Sequence, residues 1–261
     1  MPEVVFLGTG GAFAAGRRTN LGLLLQDSDF RMLVETSPMI MQQLARIGLP
    51  AIEIEQIFVS HSHGDHSLGF PMLALNRLSA PAQLRVYAGS NTVATLKMLW
   101  ALVYTGYGGH RLQCEWHNLL EHNPDEVELS HGVILHTTVV SHPPGMPTLA
   151  ARWNFTDGSS VTFATDTLPC SNTVELAQDS DLLIHEASFS AELQPSTDPF
   201  VYFHSTAQQA GEVARQAGCP RLALVHLGAE ISEYPDVLAR EAGHGNDLQV
   251  IVPEDGDRLQ L

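Results

Sequence analysis

Short runs of apolar, often β-branched residues recur along the whole chain and are separated by polar segments that contain glycine or proline. Such runs between turn signals are typical of buried β-strands. The pattern predicts eleven strands, over residues 4–7, 21–25, 32–34, 57–59, 84–87, 133–140, 150–155, 161–164, 182–184, 222–225 and 248–252.

Between these runs the apolar residues recur every three or four positions, as they do on one face of an α-helix. This periodicity predicts helices over residues 38–47, 67–78, 92–103, 205–217 and 234–242. The mixture places the chain in the α/β class (mixed α+β), with sheets covered on their outer faces by helices. Because no linker, repeat or low-complexity tract interrupts the pattern, we predict a single domain over residues 1–261.

The segment from His61 to His66 carries three histidines and one aspartate directly after the predicted strand at 57–59. Imidazole and carboxylate groups at this density are typical ligands of Zn²⁺ and similar cations. If the segment is extended, side chains 61, 63 and 65 point the same way, and those of Asp65 and His66 diverge. One segment could then serve two adjacent metal ions.

Three further candidate ligands also follow predicted strands. His142 comes after the strand at 133–140, Asp166 after the strand at 161–164, and His226 after the strand at 222–225. Coordination requires ligand positions that are fixed to a fraction of an ångström, and a rigid sheet edge provides them. We therefore predict a multi-metal site at the rim of a sheet.

The composition limits the classes of partner. The net charge is −16, from 29 acidic and 13 basic residues, and Lys97 is the only lysine. Nucleic-acid affinity depends mainly on lysine and arginine contacts to phosphates, so an RNA or DNA partner is disfavoured, although not excluded. The chain starts without a signal-peptide pattern, has no membrane-spanning apolar run, and carries three scattered cysteines. These features predict a cytoplasmic protein with no membrane segment.

The motifs carry a resemblance to a known superfamily. The ordered set His61-x-His63-x-Asp65-His66, His142, Asp166 and His226 resembles the ligand set of the metallo-β-lactamase superfamily. The resemblance implies a four-layer αβ/βα sandwich with a dinuclear metal site at one edge of the paired sheets. Three segments are similar to those of ribonuclease Z and its relatives: Leu7-Gly8-Thr9-Gly10-Gly11 followed by Arg18 and Asn20, Ile184-His185-Glu186-Ala187-Ser188, and His204-Ser205-Thr206. The glycines at 8–11 predict a tight turn near the metal rim.

The same resemblance implies a role for each residue. One divalent ion would be held by His61, His63 and His142, the second by Asp65, His66 and His226, with Asp166 bridging the two. Zinc is the expected metal, with manganese and iron as open alternatives. A metal-bound hydroxide would be the nucleophile, and Asp65 would also orient or deprotonate it. His204 would be the general acid, and Glu186 would orient it.

The chain departs from ribonuclease Z in one interval. Enzymes of that type carry a transfer-RNA-binding arm between the positions equivalent to His142 and Asp166. Here the interval is 24 positions, and a loop, a strand, a turn at 157–159 and a second strand fill it. The sequence therefore indicates a ribonuclease Z-like hydrolase without the arm, acting on a small-molecule substrate.

The resulting prediction is a metal-dependent hydrolase of ester bonds, most simply a phosphodiesterase on small phosphodiesters or similar esters. Three alternatives stay open. One is a ribonuclease Z-type endonuclease acting on RNA. Another is an arylsulfatase, lactonase or thiolesterase that uses the same site. The last is a non-catalytic metal-binding sensor.

The apolar and aromatic stretch from Leu96 to Tyr107 admits two interpretations. It could pack in the core or form the contact of a homodimer. Alternatively, Trp100, Tyr104 and Tyr107 could form a pocket wall or lid beside the metals, made mobile by Gly106, Gly108 and Gly109. Such a pocket would suit an aryl or otherwise apolar leaving group.

Overall fold

The structure, a computed structural model, describes residues 1–107, 112–244 and 248–261. Within these residues the strands form two sheets of seven. The first sheet contains β1 Glu3–Gly8, β2 Gly22–Gln26, β3 Arg31–Val34, β4 Gln56–Val59, β5 Leu84–Gly89, β6 Cys114–Leu119 and β14 Arg258–Gln260. Its order is β14-β1-β2-β3-β4-β5-β6, antiparallel from β14 to β3 and parallel from β3 to β6.

The second sheet has the same mixed design. It contains β7 Asp125–Glu128, β8 Ile134–Val139, β9 Leu149–Asn154, β10 Ser160–Ala164, β11 Leu182–Glu186, β12 Arg221–Val225 and β13 Gln249–Ile251. Its order is β13-β12-β11-β10-β9-β8-β7. Strands β10 to β13 are parallel, and β7 to β10 are antiparallel.

Helices cover the outer face of each sheet. They are α1 Ile40–Arg46, α3 Phe70–Asn76, α4 Ser90–Val103, α5 Ser171–Ala177, α6 Ala207–Gln216 and α7 Pro235–Ala242. A further short helix, α2 Gly64–Ser67, lies in the loop after β4. Apolar side chains of α1, α3 and α4 form one buried cluster with the outer face of the first sheet. Those of α5, α6 and α7 form a second cluster with the outer face of the second sheet. Each of these six covering helices therefore buries an apolar side, as amphipathic helices do.

A third cluster fills the space between the two sheets. Alternate residues of each strand point inward, as in β1, where Val4 and Phe6 join this cluster while Val5 packs toward the helices. The ring of Phe58 from the first sheet meets Trp153 from the second edge to face, with centroids 5.6 Å apart. Burying a large side chain of this kind contributes roughly 2–3 kcal/mol. The three clusters together make the four-layer αβ/βα sandwich, and the predicted fold is confirmed.

The predicted strands and helices are all present, with bounds that shift by a few residues. Strands β6, β7 and β14 and helices α2 and α5 were not predicted. Strands β6 and β7 lie at sheet edges and are largely polar and half-buried, so they lack an apolar run. Strand β14 and both helices are short, and a periodic pattern needs more residues to be visible. A single domain over residues 1–261 stays a prediction.

Helix α4 resolves part of the ambiguity over residues 96–107. Leu96 and Trp100 are buried in the cluster beneath the first sheet, so the interpretation of Trp100 as a pocket wall is wrong. On the opposite side of the helix, Met98 and Leu102 are exposed, and a homodimer contact there stays a prediction. Gly108 and Gly109 lie outside the described residues.

Among the helices that the structure describes, none is long and apolar enough to cross a membrane.

Candidate metal centre and active site

The two sheets meet at one edge, where four strands deliver the predicted ligands. Strands β8, β10 and β12 run in the same direction, so their carboxyl ends share this edge of the second sheet. Backbone hydrogen bonds join the sheets there: Leu149 N donates to Ser60 O, just beyond β4, and Leu227 N donates to Thr9 O, each at 3.1 Å. The loops after β4, β8, β10 and β12 therefore converge, as the sequence predicts.

The first ligand group consists of His61, His63, His142 and Asp166, whose ligand atoms all lie within 4.8 Å of one another. His63 Nδ1 is 2.9 Å from His61 Nε2 and 3.3 Å from His142 Nε2. Asp166 Oδ2 lies 3.6 Å from His61 Nε2. Burial lowers the pKa of His61 and lowers the pKa of His142 to about 4, so both rings are neutral near pH 7. Neutral imidazoles have the lone pair that a metal ligand needs.

The second ligand group consists of Asp65, His66, Asp166 and His226, again within 4.8 Å. Asp65 Oδ2 lies 3.2 Å from both His66 Nε2 and His226 Nε2. Asp166 Oδ1 lies 3.3 Å from His66 Nε2, while its other oxygen faces the first group. His66 is fully buried, yet neither of its ring nitrogens makes a well-formed hydrogen bond within the described part of the chain. This donor set fits a divalent cation in each group, with Asp166 between them.

The prediction that Asp65 and His66 diverge is wrong. Both side chains belong to the second group, because the chain leaves the extended conformation at Gly64 and forms the helical turn α2. His66 N donates to His63 O at 3.1 Å within this turn. A helical turn brings neighbouring side chains round to positions that strand alternation would separate.

Backbone strain marks the same region. Asp166 and His226 adopt left-handed conformations, with φ of 47° and 52°, and Glu35 has φ of 68°. For residues other than glycine such conformations cost of the order of 1–3 kcal/mol each and persist only where the surroundings impose them. Their concentration beside the two ligand groups indicates that the fold holds these side chains at some expense in stability.

Glu35 is a site residue that the sequence interpretation missed. It follows β3 directly and is fully buried, and it accepts a hydrogen bond from Ser60 N at 3.3 Å. Its Oε2 lies 3.5 Å from His66 Nδ1, the ring nitrogen that faces away from Asp65. Burial lowers the pKa of His66, but the carboxylates of Asp166 and Glu35 outweigh it and raise that pKa well above its ordinary value. Glu35 directly follows a strand, as the candidate ligands do, and this position is the signal that could have identified it from the sequence.

His204 and Glu186 form a pair at the border of both groups. His204 Nδ1 lies 2.8 Å from Glu186 Oε1, which also accepts a hydrogen bond from Thr167 N at 2.7 Å. The ring centroid of His204 is 5.4 Å from that of His142 and 5.5 Å from that of His226. Burial lowers the pKa of His204, but the Glu186 carboxylate outweighs it and raises the pKa to about 9. The imidazole is therefore protonated at neutral pH.

A cavity of about 590 Å³ opens beside this pair, with His204 and His226 in its wall. Phe13, Phe189 and Tyr202 give it an apolar side, and the ring centroids of Phe189 and Tyr202 are 5.4 Å apart. Gly11 lies in the tight turn predicted near the rim. A Cβ at this position would come within 3.1 Å of the His226 ring, so glycine allows the close approach.

The nine predicted site residues thus lie together. The interval between His142 and Asp166 is short, as the sequence indicates. After His142 the chain forms a loop, then β9, a turn with Gly158 at φ of 91°, and β10. Residues 143–165 are all described, and no arm is present among them.

Known proteins share this fold over the whole length of the chain. The metallo-β-lactamase fold protein YhfI from Bacillus subtilis superimposes with a TM-score of 0.81 at 21% sequence identity, covering 99% of this chain and 98% of YhfI. A diphosphatase of the PhnP family gives a TM-score of 0.78 at 20% identity, covering 100% of this chain and 98% of that protein. These similarities confirm the fold.

Sequence comparison gives the branch and the family. Ribonuclease Z of Halorubrum lacusprofundi is 27% identical over 316 residues, covering 99% of this chain and 97% of the relative. That alignment is longer than the 261 residues of this chain, so the relative carries segments that this chain lacks. Residues 2–208 match the family described as anti-Pycsar protein Apyc1. The predicted ribonuclease Z-like relationship is confirmed, and the chain, a hydrolase of the metallo-β-lactamase fold, belongs to the Apyc1 family.

Proposed function

We propose that this chain is a dinuclear metal-dependent phosphodiesterase that cleaves small phosphodiesters or closely similar esters. The observation that carries the proposal is the position of His204, a protonated imidazole beside two groups of metal-ligating side chains. This arrangement combines activation of a nucleophile with protonation of a leaving group, the two requirements of ester hydrolysis.

Seven residues would hold the metal ions. His61, His63 and His142 would bind one ion and Asp65, His66 and His226 the other, with Asp166 shared through its two oxygens. Zinc suits these ligands best, and manganese or iron would fit the same donor atoms. Two bound cations would lower the pKa of a water molecule between them and attract the oxygens of a phosphoryl group.

Asp65 would orient the attacking water as well as ligate. Burial raises the pKa of Asp65, but the imidazole rings of His226 and His66, each 3.2 Å from its Oδ2, outweigh burial and hold the pKa well below the usual range of a carboxyl group. Asp65 is therefore a carboxylate at every pH near neutrality, and it can accept a hydrogen bond from the nucleophile and so orient it.

His204 would donate a proton to the leaving oxygen. Its Nδ1 is engaged by Glu186, which leaves Nε2 as the donor toward the cavity that His204 lines. Glu186 accepts from His204 through one oxygen and from Ser188 through the other, so the carboxylate is fixed in position. A fixed carboxylate keeps the ring in one tautomer and favours its charged form.

The cavity and the charge support a small substrate. Its volume of about 590 Å³ lies within the range of small-molecule pockets, and its aromatic side would receive an apolar part of the substrate. The 24-position interval between His142 and Asp166 leaves no arm for a transfer RNA, and a net charge of −16 repels polyanions. Ribonuclease Z and the diphosphatase act, by their names, on phosphorus esters or anhydrides, which favours phosphodiesters over sulfates, lactones or thiolesters.

By its family, the chain would act in the cell as an anti-Pycsar protein.

A panel of substrates tests the proposal. We expect turnover of bis-p-nitrophenyl phosphate that is lost on chelation and restored by Zn²⁺ or Mn²⁺, with no turnover of an aryl sulfate, a lactone or precursor transfer RNA. Cleavage of precursor transfer RNA at the higher rate would favour the endonuclease alternative. Metal-loaded protein that hydrolyses none of these esters would overturn the enzymatic proposal and leave the metal-binding sensor.

A further inference from the structure

Ser188 lies between the His204–Glu186 pair and the candidate ligand His226. Its Oγ is 2.6 Å from Glu186 Oε2 and 3.0 Å from His226 Nδ1. The same oxygen is 3.3 Å from His204 Nδ1. One hydroxyl group therefore contacts three side chains that the proposed function assigns to proton transfer and metal binding.

The single proton of the hydroxyl group settles the direction of these hydrogen bonds. An ionised carboxylate has no proton to give, so Ser188 Oγ donates to Glu186 Oε2 over the shortest of its contacts. The hydroxyl oxygen must then accept from His226, which places the proton of that ring on Nδ1. The other ring nitrogen, Nε2, keeps its lone pair and faces Asp65 and Asp166 in the second ligand group.

The backbone fixes Ser188 in this position. Ser188 N donates to Glu186 Oε2 at 3.2 Å, immediately after β11 ends at Glu186. The carbonyl oxygen of Ser188 packs against Gly228, where a Cβ would come within 2.4 Å of it. Ser188 belongs to the loop after β11 and Gly228 to the loop after β12. A side chain at position 228 would push these two loops apart, so glycine is needed for their close contact.

We propose that Ser188 is a positioning residue that orients the His226 ring for metal binding and links it to the carboxylate that holds His204. Glu186 thus controls both imidazoles, His204 directly and His226 through the Ser188 hydroxyl. The rings of His204 and His226 are nearly parallel, with an interplanar angle of 18°. The inference rests on the proposed function only in taking His226 as a metal ligand.

Metal affinity, measured without substrate, tests the role of Ser188. In competition with a chromophoric chelator, S188A should bind Zn²⁺ about 10- to 100-fold more weakly at one of its two sites, the usual effect of losing a hydrogen bond to a ligating histidine. S188T keeps the hydroxyl group and should restore the affinity. S190A is the control, because Ser190 lies two residues away along the chain and its hydroxyl group donates to the Glu241 carboxylate at 2.6 Å, away from both ligand groups. It should bind Zn²⁺ as the unchanged protein does.

A second measurement needs no variant. In the zinc-loaded protein, long-range ¹H–¹⁵N correlation spectra should show His226 with its proton on Nδ1. Four outcomes would each overturn the proposal. The first three concern Zn²⁺ affinity: no change in S188A, a loss in S188T equal to that in S188A, or a loss in S190A equal to that in S188A. The fourth is a proton on Nε2 of His226 in the spectra. Because none of these readouts involves turnover, failure of this inference is distinguishable from failure of the phosphodiesterase proposal.

Discussion

His204 Nδ1 lies 2.8 Å from Glu186 Oε1, and while the Glu186 side chain is completely buried, that of His204 keeps 18% of its surface exposed. A buried carboxylate cannot leave its partner, and a partly exposed ring can reach a substrate. The pair therefore holds a proton at the wall of the cavity, on a residue that is separate from the seven candidate ligands. This separation of proton donor from metal ligands makes the two functions testable independently.

Replacing His204 by alanine should lower kcat on bis-p-nitrophenyl phosphate roughly a hundredfold or more, because the leaving oxygen loses its proton donor. Metal content, measured by elemental analysis, should stay unchanged because His204 is outside the two four-residue ligand groups that share Asp166. His136→Ala is the control, since His136 is half-buried beside Glu126, on β8 rather than in the ligand groups. Loss of metal in His204→Ala would show that the residue is a ligand instead.

The pH profile should depend on Glu186. The acid must be protonated, so kcat should hold up to about pH 9 and fall above it, where His204 loses its proton. Since the folded-state pKa is raised above the ordinary value of 6.5, the pair also stabilises the fold fully below pH 6.5, and this contribution is lost as the pH rises through about 9. In Glu186→Gln the raising charge is gone and burial lowers the pKa, so the alkaline limb should move to lower pH. A profile that does not move would exclude His204 as the titrating acid.

Asp166 should control metal loading of both groups. Asp166→Asn preserves the shape of the side chain, and asparagine tolerates the left-handed φ of 47°, so the variant should fold. We expect it to lose bound metal and most of its activity. A ligand present at a free concentration of about 100 times its Kd stabilises the folded protein by about 2.7 kcal/mol. Chelation should therefore lower the melting temperature of the unchanged protein. The melting temperature of the variant should not change on chelation. Asp157→Asn, in the exposed turn between β9 and β10, should behave as the unchanged protein.

Glu35 should support metal binding through His66. Glu35→Gln removes the charge that faces His66 Nδ1 at 3.5 Å, and we expect Zn²⁺ affinity to fall about 10- to 100-fold. Glu53→Gln, at a half-exposed carboxylate that pairs with Arg31, is the control. Zn²⁺ affinity is measured by chelator competition. If the Glu35 variant and the unchanged protein bind Zn²⁺ equally well, Glu35 has only a structural role, as the hydrogen-bond acceptor for Ser60.

Tyr202 should contribute to substrate binding and little to chemistry. It lines the cavity beside Phe189, so Tyr202→Ala should raise KM by roughly fivefold, the equivalent of about 1 kcal/mol, with kcat nearly unchanged. Phe200→Ala is the matched control, because Phe200 and Tyr202 both lie in the short helical turn Pro199–Tyr202 and are similarly exposed, but Phe200 does not line the cavity. Equal effects of both substitutions on KM would place the substrate elsewhere.

The sequence by itself identified the candidate metal ligands, the candidate acid pair and most of the strands. Metal ligation admits few residue types, so the histidines and aspartates of the segment at 61–66 stand out without any knowledge of the fold. Buried strands need apolar runs, which a linear pattern records, and the ligands after them were visible for the same reason. Strands β6 and β7 escaped because an edge strand needs no such run.

Tertiary structure alone decided how these residues combine. The helical turn at Gly64 puts Asp65 and His66 in one group, and the contact between Asp65 and His226 joins residues 161 positions apart. Glu35, Ser188 and the aromatic cavity wall depend on contacts of the same long-range kind. Such contacts are fixed by how two sheets pack and by which loops their edges bring together. No local pattern records that packing, because it depends on side chains from the whole chain at once.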